Sequence, residues 1–228
     1  MKRHFYLAFL SVLLLFGCEK ETENVSRTTY YCDFSLKGNP VEFVSLGSAY
    51  SEPGWEASDQ GVDVSSAVVT SGAVDANEAG LYRISYSVKN TDGFPATLTR
   101  QVVVCDVTPS PLETGFYTVS KNSNRNVTTA YGQDFTILIY QVSPGEFYVS
   151  DLFGGWYEQR AGYGSDYAMT GSIKLESDNT LSLVESSVVG WGDGLDGLSG
   201  AYNPDTKTIT WAAGYAGAYT FNVTATKQ

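Results

Sequence analysis

The sequence predicts an all-β chain, a β-sandwich followed by a second antiparallel β-sandwich or partly open barrel. Three observations predict it. Apolar residues alternate with polar ones over short runs, as in Leu81 to Val88 and Phe135 to Val142. Turn signals such as Asn90-Thr91-Asp92-Gly93 and Ser177-Asp178-Asn179 separate those runs at short intervals. No run of about 11 residues or more carries an apolar stripe at helical spacing.

The strands follow in order. Tyr30 to Leu36 and Val41 to Val44 open the first domain, and Val68, Val69 and Val74 lie in a turn-rich stretch. Leu81, Ile84, Tyr86 and Val88 are inward candidates, with a slip in the alternation near Arg83. Ala96 to Val107 returns as a long strand after the hairpin turn. Thr108-Pro109-Ser110-Pro111 then marks a boundary, since two prolines remove backbone donors and stiffen the link. The expected division is a sandwich over 27–108 and a C-terminal all-β domain over 109–228. In the latter, Phe135, Ile137 and Ile139 share a face, and Phe147 to Phe153, Met169 to Leu175 and Thr180 to Val189 follow as strands. Asn203-Pro204-Asp205 turns the chain, and Tyr219, Phe221, Val223 and Ala225 line one face of the last strand.

The N-terminus carries an address. Lys2 and Arg3 precede an apolar run from Phe5 to Phe16, too short for a membrane span. Leu15-Phe16-Gly17-Cys18 resembles the lipobox of bacterial lipoproteins. That resemblance implies a signal peptide over 1–17, lipidation of Cys18 and a solvated tether over 18–26. Glu19-Lys20-Glu21-Thr22-Glu23 is similar to the surface-export tag of Bacteroidetes lipoproteins, which implies the outer-membrane surface, with the periplasmic leaflet as the alternative. Export places Cys32 and Cys105 in an oxidising compartment. A disulfide between them is one expectation and two buried thiols the other.

Composition excludes several chemistries. Lys+Arg number 14 against 25 Asp+Glu, a formal net charge of -11, so a nucleic-acid partner is not expected. The single His is His4, inside the export segment, which removes Ser-His-Asp and Cys-His catalysis and His-built metal centres from the mature chain. No cofactor fingerprint is present. A glycosidase would need paired carboxylates, with Asp151, Glu158, Asp166, Glu185, Asp193 and Asp196 as candidates, and no spacing selects a pair. The expectation is a protein that is not an enzyme.

The unusual segment is 151–167, where Trp156, Tyr157, Tyr163 and Tyr167 are interleaved with Arg160, Asp166 and glycines. Trp191 lies in a second Gly-rich stretch, beside Asp193 and Asp196. Aromatic faces against the C–H side of a pyranose, with planar polar groups for its hydroxyls, are what sugar recognition uses. The candidate glycan contacts are therefore Trp156, Tyr157, Arg160, Tyr163, Asp166, Tyr167 and Trp191. The bland alternative is internal packing of the same rings. Asp193 and Asp196 also suggest a weak calcium site, against an Asp/Gly turn.

Residues 41–105 resemble the bacterial Ig-like repeat of surface proteins, through Phe43-Val44-Ser45-Leu46-Gly47-Ser48, Pro53-Gly54, Gly61-Val62-Asp63-Val64 and Gly80-Leu81-Tyr82-Arg83-Ile84-Ser85-Tyr86. The resemblance implies an Ig-like sandwich acting as a spacer or adhesion module. Residues 112–228 resemble the C-terminal domain of a Bacteroidetes lipoprotein family of unknown function, through Asp151 to Tyr157, Gly162-Tyr163-Gly164, Trp191-Gly192-Asp193 and Tyr219 to Thr224. That resemblance implies an accessory of glycan-uptake systems, whose partners would be a polysaccharide or oligosaccharide, an outer-membrane transporter complex and the lipid anchor. The reading is a non-catalytic surface protein that binds glycan. The alternatives are an assembly partner without sugar binding, and a glycoside hydrolase.

Overall fold

The computed structural model describes residues 28–228. The signal peptide, Cys18 and the tether lie outside the described residues.

The first seven strands make two facing sheets. One contains β1 (Asp33–Leu36), β3 (Trp55–Asp59) and β4 (Val62–Asp63). The other has the order β2 (Val41–Ser45), β7 (Pro95–Cys105), β6 (Gly80–Lys89) and β5 (Val69–Ser71). Strands β2 and β7 pair in parallel, while β6 and β7 form a long antiparallel hairpin through the Asn90 to Gly93 turn. Ile84, Tyr86 and Val102 are buried between the sheets against Trp55 and Phe34.

The second unit closes on itself. Eight strands form the barrel: β8 (Gly115–Val119), β11 (Phe135–Ser143), β12 (Glu146–Val149), β13 (Thr170–Leu175), β14 (Thr180–Ser187), β15 (Gly197–Asn203), β16 (Thr208–Tyr215) and β17 (Tyr219–Lys227). Consecutive members pair antiparallel, and β17 returns to β8 with Ala225 opposite Val119 and Lys227 opposite Tyr117. The expected partly open barrel is thus fully closed, which removes its free edges. A small ribbon of β9 (Asn124–Arg125) and β10 (Thr129–Ala130) extends from β17. Inward residues of every barrel strand fill the interior, among them Tyr117, Ile139, Phe147, Ile173, Ile209, Trp211 and Phe221.

The slip near Arg83 has a physical cause. Ile84, Tyr86 and Val88 point into the sandwich, whereas Leu81, of opposite parity, packs with Val103 and Cys105 against Leu138 and Tyr140 of the barrel. Strands β6, β7 and β11 therefore bury both faces, one in a core and one in the seam. The proline link is tied into that seam. Gln141 Nε2 donates to Asp106 Oδ1 at 2.8 Å and to the Thr108 carbonyl at 3.1 Å, and the Asp106 N–H donates back to the Gln141 carbonyl at 2.9 Å.

Of the two expectations for the cysteines, the structure has the pair of buried thiols. Cys32 and Cys105 are both free and buried. Cys32 packs with Ala57 and Val88, while Cys105 lies in the seam with Leu138 and Tyr140. Burial raises both thiol pKa values.

Candidate functional site

The segment after β12 is built around Asp151. Its carboxylate is wholly buried and accepts three backbone N–H groups, from Phe153 and Gly155 at 2.8 Å each and from Met169 at 3.1 Å. Burial pushes this carboxyl up, to about 7, against the pull of those donors. Enclosed in this way, Asp151 cannot meet a substrate, so it leaves the set of glycosidase candidates. Its role is to fold Leu152 to Gly155 inward. Trp211 Nε1 donates to the Leu152 carbonyl at 2.8 Å, and the Tyr131 hydroxyl donates to the Phe153 carbonyl.

The chain reverses at two glycines. Gly155 has φ 88°, and a Cβ there would stand 2.9 Å from Phe135. A single π-helical turn, Trp156–Arg160, follows. This turn corrects one expected contact. Trp156 is 3% exposed and belongs to the barrel core, edge-on to Tyr131 at 5.0 Å. Two guanidinium groups lie over its ring, Arg160 at 4.1 Å and Arg125 at 4.7 Å from the centroid.

The other expected rings do come together. Tyr157 is half-buried and joins core to surface. Its ring meets Phe153 at 5.2 Å and Phe221 at 5.8 Å on the inside, Trp191 at 4.7 Å edge-on, and Tyr163 at 5.9 Å with the planes 30° apart. Tyr167 bridges Tyr163 at 5.4 Å and Trp191 at 5.0 Å, and Trp191 leans on Tyr215 at 5.9 Å. Tyr163 is 57% exposed and Trp191 40%. The two Gly-rich stretches are stitched together by the Gly190 N–H, which donates to the Asp166 carbonyl at 2.7 Å. The result is an aromatic mouth at one end of the barrel, rooted in its core.

Polar groups surround this mouth. The Tyr215 hydroxyl donates to Asp193 at 3.0 Å, and burial together with that carboxylate raises the phenol to about 12. Burial likewise raises Tyr157, while neighbouring Arg125 pulls it back. Asp166 is exposed beside Tyr167, and Glu158 faces away, into a cleft of about 480 Å³ along the seam with Tyr148 and Arg83. Glu185 lies out on β14 opposite Ser172.

The two carboxylates of the expected calcium site take separate partners. Asp193 is engaged by Tyr215, and Asp196 Oδ2 accepts the Gly217 N–H at 2.7 Å. Among the described residues no group of three or more His, Cys, Asp or Glu side chains gathers to hold a metal.

Sequence reasoning missed Arg125, Tyr215 and Tyr219. Tyr219 shares the face of Phe221, yet it is 37% exposed, because that face of β17 reaches solvent where the barrel ends. Arg125 lies 4.9 Å from the Tyr219 ring, brought there by the pairing of β9 with β17. No local pattern marks Arg125. It is one polar residue in a polar stretch.

Comparison with known proteins places this architecture. A family model for a C-terminal domain matches residues 106–227, and one for the Ig-like domain of bacterial surface proteins matches residues 34–104. The crystal structure of the lipoprotein BT2262 from Bacteroides thetaiotaomicron is similar at 41% identity, covering 86% of this chain and 100% of its own, with a TM-score of 0.76. The structure of CBM51-2 in complex with GlcNAc and INT domains from Clostridium perfringens ZmpB shares 19% identity over 50% of this chain and 29% of that one, and its TM-score of 0.29 carries no argument. A search of curated proteins gives no match.

Proposed function

We propose that this chain, which belongs to the BT2262 family of Bacteroidetes surface lipoproteins with an Ig-like domain and a C-terminal β-domain, binds glycan at the aromatic mouth of its barrel. As a member of that family it is an outer-membrane surface lipoprotein. In this reading Cys18 carries the anchor, the sandwich is a spacer, and the barrel serves as a non-catalytic accessory of a polysaccharide-uptake system.

The observation that carries the reading is the exposure of Tyr163 and Trp191 on a base of buried rings. Rings held by neighbours lose little freedom on meeting a sugar face, so their apolar area is available at low entropic cost. Asp166 and Asp193 stand at the same mouth as acceptors for hydroxyl groups.

Affinity electrophoresis of the full chain in detergent, across neutral and acidic polysaccharides, tests it. Retention that falls in Trp191→Ala and Tyr163→Ala, with unchanged melting, supports the reading. An absence of retention on every polysaccharide overturns it.

A second reading, an assembly role without sugar, has its own observation. Tyr30, Tyr31 and Phe94 are 55%, 61% and 43% exposed at one end of the sandwich, with Tyr31 and Phe94 in contact at 6.1 Å. Under this reading, Tyr31→Ser with Phe94→Ser releases a co-purifying membrane partner and leaves any glycan retention intact.

A further inference from the structure

We propose that Arg125 and Arg160 form an oxyanion site beside the aromatic mouth, which receives the carboxylate or sulfate of an acidic sugar. The proposal rests on the glycan reading above and adds the charge of the ligand.

Three observations carry it. First, both guanidinium groups share one ring, at 4.7 and 4.1 Å from the Trp156 centroid. Two like charges brought to one place repel, and an indole face offsets this only in part. An anion beside them would offset the repulsion. Second, acidic side chains outnumber basic ones 25 to 14, yet among the described residues neither arginine is in an ion pair. Arg100, Lys37, Lys174 and Lys207 all have carboxylate partners. Third, neither side chain is fully buried, although Arg125 also hydrogen-bonds Tyr157. Arg160 is exposed and spends its Nε on the Tyr131 carbonyl at 3.1 Å, which fixes the plane of the fork. Arg125 is half-buried between Trp156 and the exposed Tyr219.

The chemistry matches the site. A guanidinium fork donates two parallel hydrogen bonds to a carboxylate or sulfate. Tyr219 offers a ring face next to that fork, and Tyr157 links it to the Tyr163 and Trp191 surface. A uronic acid or a sulfated sugar presents the same pair of features, an oxyanion on an otherwise apolar-faced ring. Packing alone would explain one arginine over Trp156. It does not explain a second without a counter-charge.

The test is retention of the full chain in detergent on polygalacturonate, dextran sulfate and neutral dextran, with Arg125→Gln, Arg160→Gln and Arg160→Lys beside the wild type. A chain of net charge -11 has no general attraction for a polyanion, so retention there reports a local site. The expected result is retention on one of the two acidic polymers that weakens as sodium chloride is raised. Each Gln substitution should reduce it roughly tenfold or more, and Arg160→Lys should lose less than Arg160→Gln. Polygalacturonate against dextran sulfate identifies the oxyanion. Free galacturonate or inorganic sulfate should compete with the wild type, a readout that needs no variant to fold. Retention on neutral dextran alone, or acidic retention untouched by either Gln substitution in a protein of unchanged melting, overturns the oxyanion site and leaves the glycan reading standing. No retention on any polymer overturns both.

Discussion

Arg100 Nη2 and Glu52 Oε1 stand 3.1 Å apart inside the sandwich, with the arginine side chain wholly buried and the glutamate a quarter exposed. The same guanidinium donates to the carbonyls of Lys37 at 2.6 Å, Gly54 at 3.3 Å and Asn39. Glu52 Oε2 accepts the hydroxyls of Tyr50 at 2.6 Å and of Tyr86. The charge is thus paired and its donors are spent on loop carbonyls, which ties the Lys37–Asn39 and Glu52–Gly54 turns to β7. Removing one partner of such a pair leaves the other uncompensated. Arg100→Leu should destabilise the sandwich by about 3 to 5 kcal/mol in urea unfolding. Arg100→Leu with Glu52→Leu should cost less than the sum of the two single changes. Additive losses would show that the pair is not coupled.

Acidity should act on the two units in opposite directions. Burial alone would raise Glu52, but the two tyrosine hydroxyls, the Gly54 N–H and Arg100 together hold it below the ordinary glutamate value. Its contribution is therefore present above the unfolded value of about 4.3 and is lost as pH falls through the depressed folded value. Asp151, raised to about 7, behaves in reverse. Its contribution is present below the unfolded value of about 3.9 and is lost as pH rises through the folded one. Amide exchange at Tyr86 and Phe153, followed across pH, separates the two. Glu52→Gln should flatten the first profile and Asp151→Asn the second.

The two tryptophans of the candidate site should part company on substitution. Trp156→Ala opens a cavity in the barrel core and should cost about 3 to 5 kcal/mol by thermal unfolding. Trp191→Ala, at a 40% exposed ring, should leave the melting temperature nearly unchanged while weakening glycan retention. Equal destabilisation by both would make the mouth a packing feature only.

Cys32 and Cys105 should be protected thiols. Both are buried with raised pKa values, so a thiol reagent should label neither in the native chain and both in denaturant. Resistance to labelling after unfolding without reductant would restore the disulfide.

Much of the β architecture is legible because alternation reports one buried face. It fails where both faces are buried. Leu138 and Tyr140 alternate with the inward Ile137 and Ile139 of β11, and their apolar character belongs to the seam, which no local period encodes. Arg100 shares the inward parity of Val102 on β7, and partners distant in sequence, Glu52, Glu42 and three loop carbonyls, make that tolerable. The aromatic mouth was legible in composition, since Tyr163, Tyr167 and Trp191 sit among glycines. Trp156 lies in the core because the Gly154-Gly155 reversal and the π turn carry its ring inward, which no alternation or composition encodes. Arg125 became visible only through the pairing of β9 with β17.

The union of β8 with β17 also dictates a timetable. The sandwich is complete once Cys105 has emerged, and it can fold while the remainder is still being made or threaded across a membrane. The barrel has no such freedom. Its first strand waits on a partner about a hundred residues further along, and until that partner arrives two unsatisfied edges stay open to any passing strand. A stall in secretion would therefore leave a finished sandwich joined to an unfinished, adhesive barrel, and rapid delivery of the final segment would guard against that.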